Sequence, residues 1–557
     1  MPGVPTSKGC EACRRRKKGC DLARPICGRC AKLGIKCVNS GVGRLKFVDE
    51  NDRLAKQNAS PERDSSPSTD SSASSSPPSS ASAFQIARLN KSAIVSHATG
   101  AFWLAYVPVE IANTPLHLVT DIASSGWIRL ALQHAQQDQG LEDAVAALAL
   151  SRMSRQTGDA RARKEALMFY GSTVRHVRRS ILDPDKVNDD SLLATVMLLA
   201  IFELHEGTYR RDTAWGAHVD GASKIISARG GSAIATDFGR TLYLSHLRDE
   251  LVYGIGTRGK SRKSIGETTY LPDDNDTMEI RLARILSTMP VIMEEADRLR
   301  SVRNPTRLVQ GMGALLGMVA AVLAALEDFC DTLALQAHPA PLYIELPSQL
   351  YAALPSDSPE RVFSEYLHFS SLSLADPLLM AWTSMLLLHS TIFLAWENTR
   401  IQLPSIHIDT ILPIINQIPN HTPAYIDGLT LRIAQSLEYF ILPENGLLGA
   451  EYVKYAIPIA MGYMAFWKWP EQMWFKVLFK RMKELNLGVE GFLADMFRGQ
   501  ELRLIRPLDD DDGSERRRMK VWNGSVFSSV TATYESKEDE DDTSPRAPEV
   551  YVPAKKW

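Results

Sequence analysis

Cys10-Glu11-Ala12-Cys13-Arg14-Arg15-Arg16-Lys17-Lys18-Gly19-Cys20 is followed, six residues on, by Cys27-Gly28-Arg29-Cys30 and then Cys37. Six of the chain's seven cysteines fall in this stretch, and the spacing C-x2-C-x6-C occurs twice. A structural zinc ion prefers a closed tetrahedron of thiolates. Two ions need eight ligand positions, which six cysteines fill only when two sulfurs bridge both metals. The repetition implies that the bridging pair are equivalent residues of the two units. A disulfide knot is the competing use of six cysteines, but residues 1–9 hold no apolar run of the kind that opens a secreted chain. Unrelated buried thiols would not repeat a spacing. The stretch reads as a two-zinc cluster with Cys10, Cys13, Cys20, Cys27, Cys30 and Cys37 as ligands.

Charge points the same way. Residues 1–46 carry twelve Lys or Arg against Glu11 and Asp21, a formal balance of +10. Six thiolates and two Zn2+ add a formal −2, which leaves about +8 on a very small module. Such a charge neutralises phosphates and releases counterions, giving affinity without sequence choice. Sequence choice needs a side chain at base edges, most commonly Lys or Arg donating to guanine O6 and N7. Arg14, Arg15, Arg16, Lys17 and Lys18 lie between zinc ligands that fix their direction, and they are the candidate DNA contacts. The whole chain carries a formal −2, so the remainder holds about −12, the asymmetry of a DNA-binding head on an acidic protein.

The cysteine spacing, the basic run Arg14–Lys18 and Pro25 in the inter-unit loop resemble the fungal binuclear zinc-cluster (Zn2Cys6) transcription factors. The resemblance implies two bound Zn2+ ions with Cys10 and Cys27 as the bridging ligands. It implies that Lys17 reaches the guanines of a CGG-type triplet in the major groove, with Arg16 beside it and Arg14 and Arg15 on phosphates. Gly19 stands where the family typically places a basic residue, which implies one phosphate contact fewer. The further implication is a nuclear, sequence-specific regulator of RNA polymerase II transcription that binds double-stranded DNA and activates a metabolic or secondary-metabolite gene set. A repressor, or a cluster protein acting through protein partners, is the alternative. This resemblance covers less than a tenth of the chain.

Residues 44–58 sit where many members of that family carry a dimerising coiled coil. Here Leu45 and Val48 begin a register that Asp52 breaks, so the head is expected to be monomeric or weakly dimeric. From Ser60 to Ser82 the chain is Ser- and Pro-rich and has too little apolar surface to offset chain entropy. The expected division is a DNA-binding domain at 1–43, a disordered linker at 44–85, an all-α regulatory domain at 86–505 and a disordered acidic and aromatic tail at 506–557. The fold class is thus mainly α.

Within 86–505, apolar residues recur with helical period and alternating strand patterns are scarce. Leu167, Tyr170, Val174, Val177 and Ile181 share one helical face. Asp189 and Asp190 precede Leu192–Leu204, a nearly all-apolar run that must be central. Trp215 to Arg229 is a further helix, stopped by Gly230-Gly231; Gly311–Phe329, Leu378–Trp396, Leu431–Ile441 and Tyr452–Trp467 read likewise. The phrases Ala214–Ala222, Arg229-Gly230, Ile433–Leu437 and Gly446–Pro458 resemble the regulatory domain that follows the zinc cluster in these fungal factors.

No phosphate loop, G-x-S-x-G elbow or H-E-x-x-H motif is present, and no enzyme is expected. His205 and Glu206 with His218 are the residues that invite a catalytic or metal pair; His218, one turn from Trp215, reads instead as a hydrogen-bonded core histidine. Cys330 reads as a small buried apolar residue. The longest apolar-and-glycine run, Gly311–Leu326, falls short of a membrane span, and no membrane partner is expected. Thr257–Thr277 reads as an exposed charged loop. In the tail, Asp509–Asp512 and Glu538–Asp542 surround Trp522, Phe527 and Tyr534, a composition suited to capture by a coactivator.

Overall fold

Short polar side chains ahead of apolar runs begin most helices in this chain. The computed structural model describes residues 13, 20–21, 27–33, 80–109, 123–206, 211–257, 277–403 and 405–499. Cys10, Cys37, Arg14–Lys18, the register at 44–58, most of the expected linker, the loop interior 258–276 and the tail 506–557 lie outside those residues. The chain divides into two units, Met1–Ser79 and Ser80–Trp557. In the first, α1 spans Gly28–Lys32.

The second unit begins with α2 (Ser80–Tyr106), α3 (Ala123–His134), α4 (Gln139–Thr157), α5 (Ala160–Ser180), α6 (Asp190–His205), α7 (Arg211–Arg229) and α8 (Asp237–Thr257). It continues through α9 (Met278–Leu286), α10 (Met289–Leu299), α11 (Pro305–Ala337), α12 (Leu372–Arg400) and α13 (Ser405–Asn416). It closes with α14 (Pro423–Phe440), α15 (Gly446–Phe466), α16 (Trp474–Glu484) and α17 (Val489–Gly499). Helix α2 reaches back to Ser80, inside the expected linker, because Ala and Ser let a helix anchored downstream extend at little cost.

Helix α6 is the centre of the N-terminal half. Asp189 accepts from the Ser191 N–H at 2.9 Å, and every residue from Ser191 to His205 is buried. Helices α4, α7, α8 and α17 pack around it. Arg229, at the end of α7, is fully buried and ties that end to the start of α6. Its guanidinium donates to Asp190 at 2.9 Å, to the Val187 carbonyl at 2.6 Å and to the Asp189 carbonyl.

Helix α5 corrects the stripe read from sequence. Its buried residues are Ala162, Ala166, Thr173 and Ser180, whereas Leu167 and Ile181 are exposed. Small side chains let α5 approach the alanine-rich α4 closely, and that contact outweighs the larger apolar side chains at its edge.

In the C-terminal half, α12 packs on α11, α14 and α15. Helices α11 and α12 are long and apolar enough to cross a membrane by length and composition alone. Helix α12 is mostly buried in the protein, where Thr383 donates to the Leu379 carbonyl at 2.7 Å and Ser384 pairs with Tyr455 at 3.2 Å. The all-α expectation needs one amendment. Strands β1 (Tyr343–Pro347) and β2 (Glu365–Phe369) pair antiparallel, with Tyr343 opposite Phe369, and β2 lies on α14. One hydrophobic core runs from Ala98 to Leu493.

Chain-distant elements are locked by buried polar groups. The His205 Nδ1–H donates to the Leu487 carbonyl at 2.7 Å, and its Nε2 lies 2.8 Å from a Glu451 carboxylate oxygen. Lys454 pairs with Asp249 at 2.8 Å. Gly488 adopts φ +86°, and a Cβ there would stand 2.1 Å from the His205 carbonyl oxygen, so the chain passes where only glycine fits.

Candidate zinc centre and nucleic-acid interface

Cys27 sits just ahead of α1 with an extended backbone, and its sulfur accepts from the Cys30 N–H at 3.4 Å. Thiolates are held this way when neighbouring amides offset their charge. The Gly28 N–H donates to both oxygens of Asp21, at 2.9 and 3.2 Å. Asp21 follows Cys20, so this carboxylate joins the end of the first cysteine unit to the start of the second. A Cβ on Gly28 would lie 2.6 Å from the Asp21 Oδ2. Any larger residue between Cys27 and Arg29 must displace this carboxylate from the Gly28 N–H.

The sulfurs of Cys13, Cys20 and Cys27 all lie within 4.8 Å of one another. Cys13 and Cys27 are 3.8 Å apart, far beyond the roughly 2.05 Å of a disulfide. Two thiolates on one tetrahedral zinc, each about 2.3 Å from the metal, stand about 3.8 Å apart. Cys13, Cys27 and Cys30 are buried and Cys20 packs against them, so among the described residues the core of this unit is made of sulfur. Sulfurs at this spacing, in a unit whose described core has no aliphatic side chain, fit a structural zinc site. Arg29 and Lys32 are exposed on α1.

A profile described as the fungal Zn(2)-Cys(6) binuclear cluster domain matches residues 8–43, and one described as the fungal specific transcription factor domain matches residues 113–253. The chain thus carries two domains of the fungal zinc-cluster transcription factors. A relative of this chain is the depudecin biosynthesis cluster-specific transcription activator DEP6 of Fusarium langsethiae, 34% identical over 139 residues, 24% of this chain and 23% of that protein. Another is the transcription factor dibT of Pestalotiopsis microspora, 44% identical over 48 residues, 9% of this chain and 7% of that one. The matched segments thus span about a quarter of the first relative and under a tenth of the second. No solved structure matches the chain. Both matched families are transcription-factor families and not enzymes.

The second matched domain runs from α3 through most of α8; the phrases Ile433–Leu437 and Gly446–Pro458 lie beyond it. Among the described residues, His205, Glu206 and His218 do not form a metal-ligand group. His218 faces the Tyr170 hydroxyl at 3.3 Å, and burial lowers it to about 4, as a neutral core histidine requires. Tyr170 in turn donates to buried Glu203. Glu206 pairs with Arg155 at 3.0 Å. Cys330 is half-buried against the core, and burial pushes its thiol up to about 12, which makes it inert.

Sequence reasoning on the zinc-cluster head missed Asp21 and Gly28. The signal was present in the asymmetry of the repeat: Glu11-Ala12 separates the first cysteine pair and Gly28-Arg29 the second.

Proposed function

We propose that this protein is a sequence-specific DNA-binding regulator of RNA polymerase II transcription, acting in the nucleus through a two-zinc cluster. The observation that carries the reading is the grouping of Cys13, Cys20 and Cys27 at zinc-like spacing in a head with a formal +10. Cys10, Cys13, Cys20 and Cys27 hold one ion; Cys30 and Cys37 complete the second with Cys10 and Cys27 shared. The metal supplies the fold of the head, because the unfolded chain has no preformed site. The protein's own contribution is to aim Lys17 and Arg16 at the guanines of a CGG-type triplet while Arg14, Arg15 and Lys18 hold phosphates. Exposed Arg29 and Lys32 add to the positive field. The resemblance of the head and the name of the DEP6 relative support an activator of a biosynthetic gene set.

The test is binding of zinc-loaded protein to duplexes with and without CGG over a range of salt. Lys17→Ala is expected to remove about 1–3 kcal/mol of preference for CGG over a scrambled triplet. Arg15→Ala is expected to weaken all duplexes alike and lower the salt slope by about one contact. Full preference for CGG in Lys17→Ala would assign base reading to another residue.

A further inference from the structure

The C-terminal half of the helical unit holds a cavity of about 330 Å³ between α12, α14 and α15. Its wall is aromatic. Trp467 stands 5.2 Å from Phe393 and 5.1 Å from Phe466 between ring centroids, and Trp469 stands 5.7 Å from Tyr463. Trp467 is 46% exposed although it adjoins this cavity, so apolar ring surface is left in water that a bound molecule would cover.

The polar groups in the wall are few. Tyr463 donates to one of the two oxygens of Asp427 at 2.9 Å. Burial, with Asp427 adding to it, pushes the Tyr463 hydroxyl well above its ordinary value, so it stays a donor. His389 and His421 face each other through Nδ1 at 3.0 Å, a spacing at which one ring donates and the other accepts. Burial lowers His389 to about 3, helped by His421, and burial lowers His421 as well, so both rings are neutral near pH 7. Among the described residues no Lys or Arg lines the cavity, and Lys468 is exposed between the two tryptophans. Asp427 therefore supplies the formal charge of the wall.

Ring faces are electron-rich, and a half-buried carboxylate beside them adds negative potential where water screens it poorly. The complement of such a wall is positive charge carried on an apolar body, since a desolvated cation gains from the rings and the carboxylate together. An anion meets repulsion from both. A neutral apolar molecule gains the rings but leaves the charge of Asp427 unmatched.

We propose that this cavity binds a compact organic cation, an ammonium or methylated ammonium group on an apolar body, held by the aromatic wall and Asp427. The full-length zinc-loaded protein is titrated with benzyltrimethylammonium, followed by tryptophan fluorescence. Bound probe is then displaced with choline or with its uncharged isostere 3,3-dimethylbutan-1-ol. Choline is expected to displace the probe at least about tenfold better than the isostere. Asp427→Asn keeps an acceptor for Tyr463 and removes the charge; it is expected to melt like the parent and to bind the probe about tenfold more weakly. Trp467→Leu, at a half-exposed ring, is expected to weaken binding as well, and it serves if Asp427→Asn is unstable. Absence of probe binding, equal displacement by the two competitors, or unchanged affinity in both variants overturns the proposal.

Discussion

At the scale of single residues, the head depends on a contact between one carboxylate and one backbone amide. Gly28→Ala brings a Cβ to 2.6 Å from the Asp21 Oδ2 and forces the cap apart. Losing a cap costs about 1 kcal/mol, and in a metal-dependent unit that loss is expressed in metal affinity. Gly28→Ala and Asp21→Ala are each expected to release zinc to a chelator severalfold more readily than the parent, read with a chromogenic metal indicator. Arg229 is the corresponding residue of the helical unit. Removing its guanidinium takes the paired cation from Asp190 and the side-chain donor from two carbonyls, so Arg229→Ala is expected to cost about 3 kcal/mol by urea denaturation. Arg229→Lys should recover little, because a point charge cannot reach three acceptors arranged for a planar fork. The sequence marked Arg229 as part of a phrase and Asp190 as a cap. That the two bind each other was not legible, since 38 residues of chain separate them and no local pattern encodes the pairing.

At the scale of elements, the helices were legible because their apolar period and caps are local properties. Asp189 ahead of α6 and Gly230 after α7 act as the sequence implied; Gly230 adopts φ +56°. What failed was part of the α5 stripe: Tyr170 and Val177 pack against the core, but Leu167 and Ile181 are exposed. A sequence reading places the largest apolar residues inward, but whether a face of small residues is chosen depends on the partner helix. The two faces make opposite forecasts. Leu167→Gln and Leu182→Ser, on exposed positions, are expected to change stability by no more than about 0.5 kcal/mol. Ala166→Leu, fully buried against α4, is expected to cost about 1–3 kcal/mol by overpacking. Thermal or urea melts of the three variants decide between the faces. The hairpin of β1 and β2 was missed for a different reason: each strand is five residues long, too short for alternation to stand out among helical segments.

At the scale of the whole molecule, stability is tied to pH through neutral buried histidines. Burial lowers His218 to about 4 and His389 to about 3, against about 6.5 in an unfolded chain. Below about pH 6.5 the unfolded state takes up protons that the native state refuses. The stabilisation is thus present above that pH and lost as pH falls toward about 4 for His218 and about 3 for His389. His218 keeps part of its surface exposed, so its share is expected to be about 2 kcal/mol or less. Urea midpoints at pH 7.5, 5.5 and 4.5 should fall in that order, and His389→Asn should flatten the dependence.

The bonds of His205 also bear on how the gene is dissected. This side chain belongs to α6 by sequence, yet its partners are Glu451 and the Leu487 carbonyl, and its own carbonyl is roofed by Gly488. Residues 113–253, although they match a named domain, hold less than half of this closure. Expressed alone, that segment would open α6 to water along the side now covered by α15 and α17, and it is expected to be recovered as inclusion bodies. A fragment of residues 80–499 keeps His205 together with Glu451 and Leu487 and should stay monodisperse by size-exclusion chromatography. Boundaries drawn from sequence similarity therefore cut through a folding unit here. Two-hybrid baits or truncation alleles ending between residues 206 and 488 will report on misfolded protein rather than on a missing activity.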